Sequence, residues 1–111
     1  MKPLLCSILR DKSGFSKKFY PKYDMFLSNT PTHLISGQKM QLMRSAHYVI
    51  SLEREDMRKE AAGYLGKVRS NLVGTEFNFF DKGENPSTGL APERVRNQLG
   101  AVLYVPKWLI V

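Results

Sequence analysis

Short apolar stretches alternate with turn-rich segments along most of this chain. Each stretch is rich in the β-branched and aromatic residues that strands prefer. The predicted strands are residues 4–10, 23–28, 46–52, 64–70, 75–81 and 101–105. A further predicted strand begins at residues 33–35. Residues 11–14 are turn formers, which predicts a hairpin between the first two strands. The pattern therefore predicts a mainly β fold of antiparallel strands.

Two segments interrupt this rhythm and predict short helices. Residues 53–62 are dense in charge, with acids before bases as the helix dipole prefers, and Ser51 suits the N-cap position. Gly63 then suits the end of that helix. The interpretation favoured for this segment is nevertheless a solvated connector. Residues 92–96 predict a further helical turn, after a loop over 81–92 that is rich in Gly, Pro, Asn and Ser.

Aromatic residues occupy both faces of one predicted strand. Phe77 and Phe79 share one face because successive strand side chains alternate, and Phe80 takes the other. Aromatics on both faces indicate a sheet that is covered on both sides.

The composition bounds the size, compartment and partners of the chain. Its 111 residues make at most one domain, and its hydrophobic content of 42% is typical of a globular protein. A net charge of +7 favours polyanionic partners such as nucleic acid, phosphoinositides or an anionic membrane, without choosing among them.

We expect an intracellular protein, because no apolar run approaches the roughly twenty residues that span a bilayer and no secretory signal is recognisable. The single cysteine, Cys6, fits a reducing compartment and is interpreted as a core residue.

Two different cations lie two residues apart in the predicted strand 64–70. Lys67 and Arg69 share one face of that strand, and Val68 points to the other. Lysine offers a compact point charge and arginine a planar fork, so the pair suits a ligand with several phosphates. Gly66 leaves room for a ligand or another backbone to approach closely. The alternative is that both cations belong to the solvated face of an ordinary strand.

The run GKVRSNLVGTEFNFFDKGENP, residues 66–86, resembles the signature of the tubby family. Three more segments agree with that family in order. They are ILRDKSG at 8–14, AHYVIS at 46–51 and RNQLGAV at 96–102. The resemblance spans about residues 6–104, and residues 105–111 depart from the family pattern.

The resemblance implies a closed antiparallel β-barrel threaded by a hydrophobic helix, of which this chain holds about half. Residues 1–111 would form part of the C-terminal tubby domain and stop after the sixth strand. Half a barrel has two open edges and an uncovered inner face. We therefore expect either a partner chain that completes the barrel or a truncated, non-functional fragment.

The resemblance also implies a phosphoinositide site formed by Lys67, Arg69, Arg96 and His47. The family often has asparagine at the position of His47, and a neutral imidazole can still donate one hydrogen bond to a phosphate. The implied ligand is the headgroup of phosphatidylinositol 4,5-bisphosphate, and the implied function is a reversible tether at the cytoplasmic face of the plasma membrane. A link to receptor and ciliary trafficking is implied more loosely, and the cilium and the nucleus are further implied locations.

Two other classes of function remain open. One is a DNA-binding modulator of transcription, because the basic charge permits nucleic acid as a partner. The chain offers no zinc-finger spacing and no basic recognition helix in its support. An enzyme is the weakest class, because only His33 and His47 are available and no metal-ligand spacing or nucleophile motif occurs. We expect no catalytic residues, no metal and no cofactor.

Overall fold

The computed structural model describes residues 2–11, 20–40, 45–89 and 91–105. Seven strands and two short 3-10 helices follow one another in these residues. The strands are β1 (Cys6–Asp11), β2 (Lys22–Leu27), β3 (His33–Lys39), β4 (His47–Ser51), β5 (Tyr64–Ser70), β6 (Glu76–Asp81) and β7 (Gln98–Leu103). The 3-10 helices, Pro86–Thr88 and Pro92–Arg94, lie between β6 and β7. The second of them confirms the predicted helical turn near residue 92.

The seven strands form one antiparallel sheet in which each strand pairs with its neighbours in sequence. Within the described residues, β1 pairs only with β2 and β7 only with β6, so the sheet is not closed. This confirms the predicted mainly β fold, with the strands of an incomplete barrel. The seven strands match the seven that the residue pattern predicts, whereas the family-based expectation of six barrel strands was one too low.

The register divides the sheet into two faces of different chemistry. Arg69 lies opposite His47 and Asn78 on the neighbouring strands, and we call the side that bears these residues the cation face. Val68 lies opposite Tyr48 and Phe79 on the other side, which we call the apolar face.

The apolar face is concave and uncovered within the described residues. It encloses a cavity of about 330 Å³. The side chains that line it include Ile8, Tyr23, Met25, Ile35, Tyr48 and Val68. The prediction of a sheet covered on both sides is therefore wrong for the part of the chain described, because nothing in it packs on this side.

The buried residues lie instead on the cation face, under the connection 52–63 between β4 and β5. Register pairs link Asp24 to Ser36, Ser36 to Ser51, and Ser51 to Tyr64. These four residues and Val49 are buried, as is Gly66 on β5. Arg54 holds the connection down, because its Nε donates to Asp24 at 3.3 Å and its carbonyl oxygen accepts from Lys22 Nζ.

The predicted helix over 53–62 was wrong, and the connector interpretation is correct. No helix forms between β4 and β5, so Ser51 caps none, and its Oγ accepts from the backbone N–H of Glu53 at 3.0 Å in a local turn. The Asp56 carboxylate likewise accepts from the backbone N–H of Arg58 at 3.2 Å. Such short-range side-chain bonds offer the backbone an alternative to helical hydrogen bonding.

Cys6 is exposed on the edge strand β1, so its interpretation as a core residue was wrong. An edge strand of an open sheet has no second neighbour to cover it. The predicted hairpin turn at 11–14 and the divergent end at 105–111 lie almost wholly outside the described residues. No helix in the described ranges is long and apolar enough to cross a membrane.

Candidate functional site

The site begins on β5, which pairs with β4 on one side and β6 on the other. Lys67 lies opposite Val49 and Phe80, and Arg69 lies opposite His47. The two cations therefore share the cation face, as predicted, with their Cα atoms about 6.6 Å apart in an extended strand. Since β5 is hydrogen-bonded on both sides, this separation is fixed.

Gly66 explains how β6 comes so close to β5 beside Lys67. Its φ is +156°, a conformation that side chains rarely adopt. A Cβ at this position would collide with the carbonyl oxygen of Phe80. The sequence prediction of a close backbone approach at Gly66 is confirmed.

His47 is held next to these cations as a neutral, half-buried group. Burial, and then the charges of Arg69, Lys67, Arg96 and Lys59, lower the pKa of His47 from 6.5 to about 4. At neutral pH the imidazole is therefore uncharged. Its Nδ1 is buried and makes no hydrogen bond in the described part of the chain.

Arg96 reaches the same cluster from the segment just before β7. Its guanidinium lies over the Phe80 ring, with Cζ 4.0 Å from the ring centroid. Phe80 stands opposite Lys67, so this stacking brings the guanidinium to the cation face. The Nε and Nη1 atoms of Arg96 are buried and have no hydrogen-bond partner among the described residues.

The backbone beneath Arg96 is fixed by contacts that the sequence analysis missed. The N–H of Arg96 donates to the carbonyl of Glu84 at 2.8 Å, and a Cβ on Gly83 would collide with the Arg96 backbone. The Asp81 carboxylate accepts from the backbone N–H of Asn97 at 2.8 Å and from its side-chain amide at 2.9 Å. These bonds, led by the one from the Asn97 backbone, lower the pKa of Asp81.

Lys59 is a fifth basic residue near the cluster, and the sequence analysis did not single it out. Its charge lowers the pKa of both His47 and Lys67, which places it near both. Its Nζ lies 3.3 Å from Glu84 Oε2, in an ion pair that leaves both side chains half-exposed. No local pattern distinguishes Lys59 from Arg58, whose guanidinium instead pairs with Asp56 at 2.8 Å.

The cluster carries an excess of positive charge. Burial, followed by the charges of Arg96, Lys59 and Arg69, lowers the pKa of Lys67. In the described ranges no ion pair joins Lys67, Arg69 or Arg96 to an acid within 4.0 Å. Arg69 and Arg96 also line one shallow depression of about 270 Å³. Its other lining residues include Asn71, Glu76, Asn78 and Phe80.

A second polar cluster on the cation face contains a serine, a histidine and an aspartate. His33 Nε2 lies 2.6 Å from Ser36 Oγ, and that hydroxyl donates to Asp24. Burial raises the pKa of Asp24, but the Ser36 hydrogen bond and the charges of Lys22 and Arg54 lower it overall. Ser36 is only 2% exposed, so its hydroxyl is not open to a substrate. This cluster fixes β2 to β3 and to the connection above them.

All four predicted site residues thus come together from three separate elements. Their roles as ligand contacts stay a prediction, whereas their proximity is a property of the fold. The arrangement offers an ammonium group, two guanidinium groups and an imidazole on one side of a rigid sheet. Such a set can hold several phosphoryl oxygens at once.

Comparison with known proteins gives one consistent result. The Tub family model matches residues 1–110. Tubby-related protein 2 of Mus musculus is 37% identical over 105 residues, which cover 89% of this chain and 19% of that protein. Tubby-related protein 3 of Homo sapiens and Tubby protein homolog 1 of Caenorhabditis elegans are each 35% identical over 105 residues. Those matches cover 89% of this chain and 24% and 25% of the two relatives, so the chain spans about a quarter of their length or less.

Proposed function

This chain belongs to the Tub family, and on that premise we propose that it is a phosphoinositide-binding module. The proposed ligand is the headgroup of phosphatidylinositol 4,5-bisphosphate. Binding would tether the protein reversibly to the cytoplasmic face of the plasma membrane, as a step in receptor or ciliary trafficking. The proposed role is binding and not catalysis.

The main support for this proposal is that, among the residues the structure describes, the cations of the cluster have no acidic partner within 4.0 Å. Lys67, Arg69 and Arg96 make no ion pair in the described ranges, although the chain supplies acids elsewhere on the same face. Grouped like charges repel, and burial of Lys67 adds a cost, so the cluster is stabilised when an anion binds.

The donors of the cluster also match the chemistry of a polyphosphorylated ring. Arg96 Nε and Nη1 are buried without hydrogen bonds among the described residues, so a phosphate that draws this guanidinium outward would satisfy donors that the free protein leaves unpaired. A second phosphate would lie against Lys67 and Arg69, which the strand holds at a fixed spacing. At an anionic membrane each basic residue near the surface adds about 1 kcal/mol of attraction.

Sedimentation with lipid vesicles tests the proposal. We expect the chain to bind phosphatidylcholine vesicles that contain the bisphosphate, and Lys67→Ala/Arg69→Ala to abolish that binding. Arg58→Ala is the matched control, because it removes an exposed cation that is already paired with Asp56. Equal binding by the double variant and the control would refute the proposal.

A competition experiment distinguishes lipid binding from nucleic-acid binding. If the cluster is a headgroup site, duplex DNA should not displace the chain from the vesicles at physiological salt. Displacement by DNA, with a steep loss of DNA affinity as salt rises, would favour the transcriptional alternative instead.

A further inference from the structure

The turn between β5 and β6 exposes two aliphatic side chains at its tip. Leu72 is 72% exposed and Val73 is 79% exposed. Hydrogen bonds brace the turn, because Asn71 Oδ1 accepts from the backbone N–H of Thr75 and Asn71 Nδ2 donates to the Thr75 hydroxyl, each at 2.9 Å. Gly74 has a φ of +73° and closes the turn by donating to the Asn71 carbonyl at 3.3 Å. The two aliphatic residues therefore lie at the tip of a hydrogen-bonded turn.

An open sheet does not account for this exposure. Most other exposed apolar residues lie on or beside β1 and β7, where a further strand would cover them. The strands β5 and β6 already have a neighbour on each side, so no added strand can cover the tip that joins them. Ordinary turns carry polar residues and glycine at such positions.

The tip lies next to the cation cluster. Leu72 follows Arg69 by three residues and lies in the turn just beyond the end of β5 at Ser70, so their Cα atoms are at most about 11 Å apart. The depression that contains Arg69 and Arg96 is also lined by Asn71, the first residue of the turn. An aliphatic tip directly beyond a cluster of cations is complementary to an anionic bilayer, whose charge lies at the surface and whose hydrocarbon lies beneath.

We propose that Leu72 and Val73 insert into the outer hydrocarbon of an anionic bilayer while the cation cluster holds a phosphoinositide headgroup. This inference rests on the proposed function, and it adds a second anchor to that function. Affinity for the membrane would then exceed affinity for the free headgroup, because only the membrane buries the tip. Insertion also fixes which end of the sheet faces the lipid.

The test compares vesicles with the soluble headgroup, inositol 1,4,5-trisphosphate. For Leu72→Ser/Val73→Ser we expect vesicle affinity to fall by about tenfold or more, since two aliphatic side chains lose their burial. Affinity for the soluble headgroup should not change. Leu52→Ser is the matched control, because Leu52 is 55% exposed and follows β4 at the opposite end of the sheet.

The outcomes separate the inference from the proposed function. Unchanged vesicle affinity in the tip variant would overturn the inference and leave the proposed function standing. An equal loss for vesicles and soluble headgroup would also overturn it, because the turn would then act through the shape of the site. If the unaltered chain binds neither ligand, the proposed function fails and the inference fails with it.

A fluorescent probe gives a second measurement. An environment-sensitive dye on Val73→Cys, in a Cys6→Ser background, should shift to shorter wavelength when vesicles containing the bisphosphate are added. The same dye on Leu52→Cys should not shift. A dye at position 73 that stays in a watery environment on bound vesicles would contradict insertion.

Discussion

His47 makes the affinity of the proposed site depend on pH in a direction that the structure fixes. In the free protein, burial and the charges of Arg69, Lys67, Arg96 and Lys59 lower the pKa of His47 to about 4. A bound headgroup neutralises those charges, which raises the pKa of His47 in the complex. Binding therefore takes up a proton, and affinity is expected to rise as the pH falls below the pKa of the bound state.

The size of the effect follows from the two pKa values. If binding restored the pKa of His47 fully from about 4 to its ordinary 6.5, affinity would rise about 25-fold between pH 7.4 and pH 5. Burial persists in the complex, so full restoration is an upper bound. Restoration of half the shift gives about 2.5-fold over the same range. The expected gain lies between these values.

The assay is isothermal titration of the chain with inositol 1,4,5-trisphosphate at several pH values. Protonation of the phosphates, with a second pKa of about 6, weakens binding to every variant on acidification. His47→Asn removes the titrating group and keeps a hydrogen-bond donor, so the ratio of the two affinities isolates the histidine. A ratio that is constant from pH 7.4 to pH 5, or titrations in different buffers that show no extra proton uptake by the unaltered chain, would rule out this role of His47.

Two further predictions concern the frame of the site and its nearest acid. Gly66→Ala should destabilise the fold by at least about 1–3 kcal/mol, which is the cost of the strained φ of +156° alone, because the new Cβ also collides with the Phe80 carbonyl oxygen. Denaturant unfolding measures this, and an unchanged midpoint would contradict it. Glu84→Gln should strengthen headgroup binding a few-fold, because it releases Lys59 from an ion pair of 3.3 Å and removes a negative charge. Titration calorimetry measures this change, and weaker binding would show that Glu84 positions Lys59 for the ligand.

The sequence predicted most of the strands because their signals are local. Residues 64–70 were predicted as a strand and form β5 with those bounds, and the alternation of Lys67, Val68 and Arg69 is confirmed by the register. The prediction of a helix over 53–62 was wrong for an equally local reason: side-chain bonds to the backbone compete with helix propensity. Ser51 and Asp56 bond nearby backbone groups and hold this segment as a connector.

The site was predictable only where a motif or a strand brings residues together. Lys67 and Arg69 lie on one strand, so the alternation of its side chains places them together. His47 and Arg96 were predicted as site residues only from the resemblance to a family. Lys59 and Gly83 matter because of contacts between segments distant in sequence, Lys59 with Glu84 and Gly83 with the Arg96 backbone. Periodicity and propensity carry no information about such contacts. The exposure of Leu72 and Val73 likewise became evident only when both flanking strands were seen to be paired.

The proposed function places headgroup binding at one cluster of side chains on the cation face. Chemical-shift mapping of the isotope-labelled chain with inositol 1,4,5-trisphosphate tests it most directly. We expect the largest shifts at His47, Lys67, Arg69 and Arg96, and we expect them to saturate with a single affinity. Saturable shifts centred on another part of the sheet, or no shifts at these four residues, would contradict it.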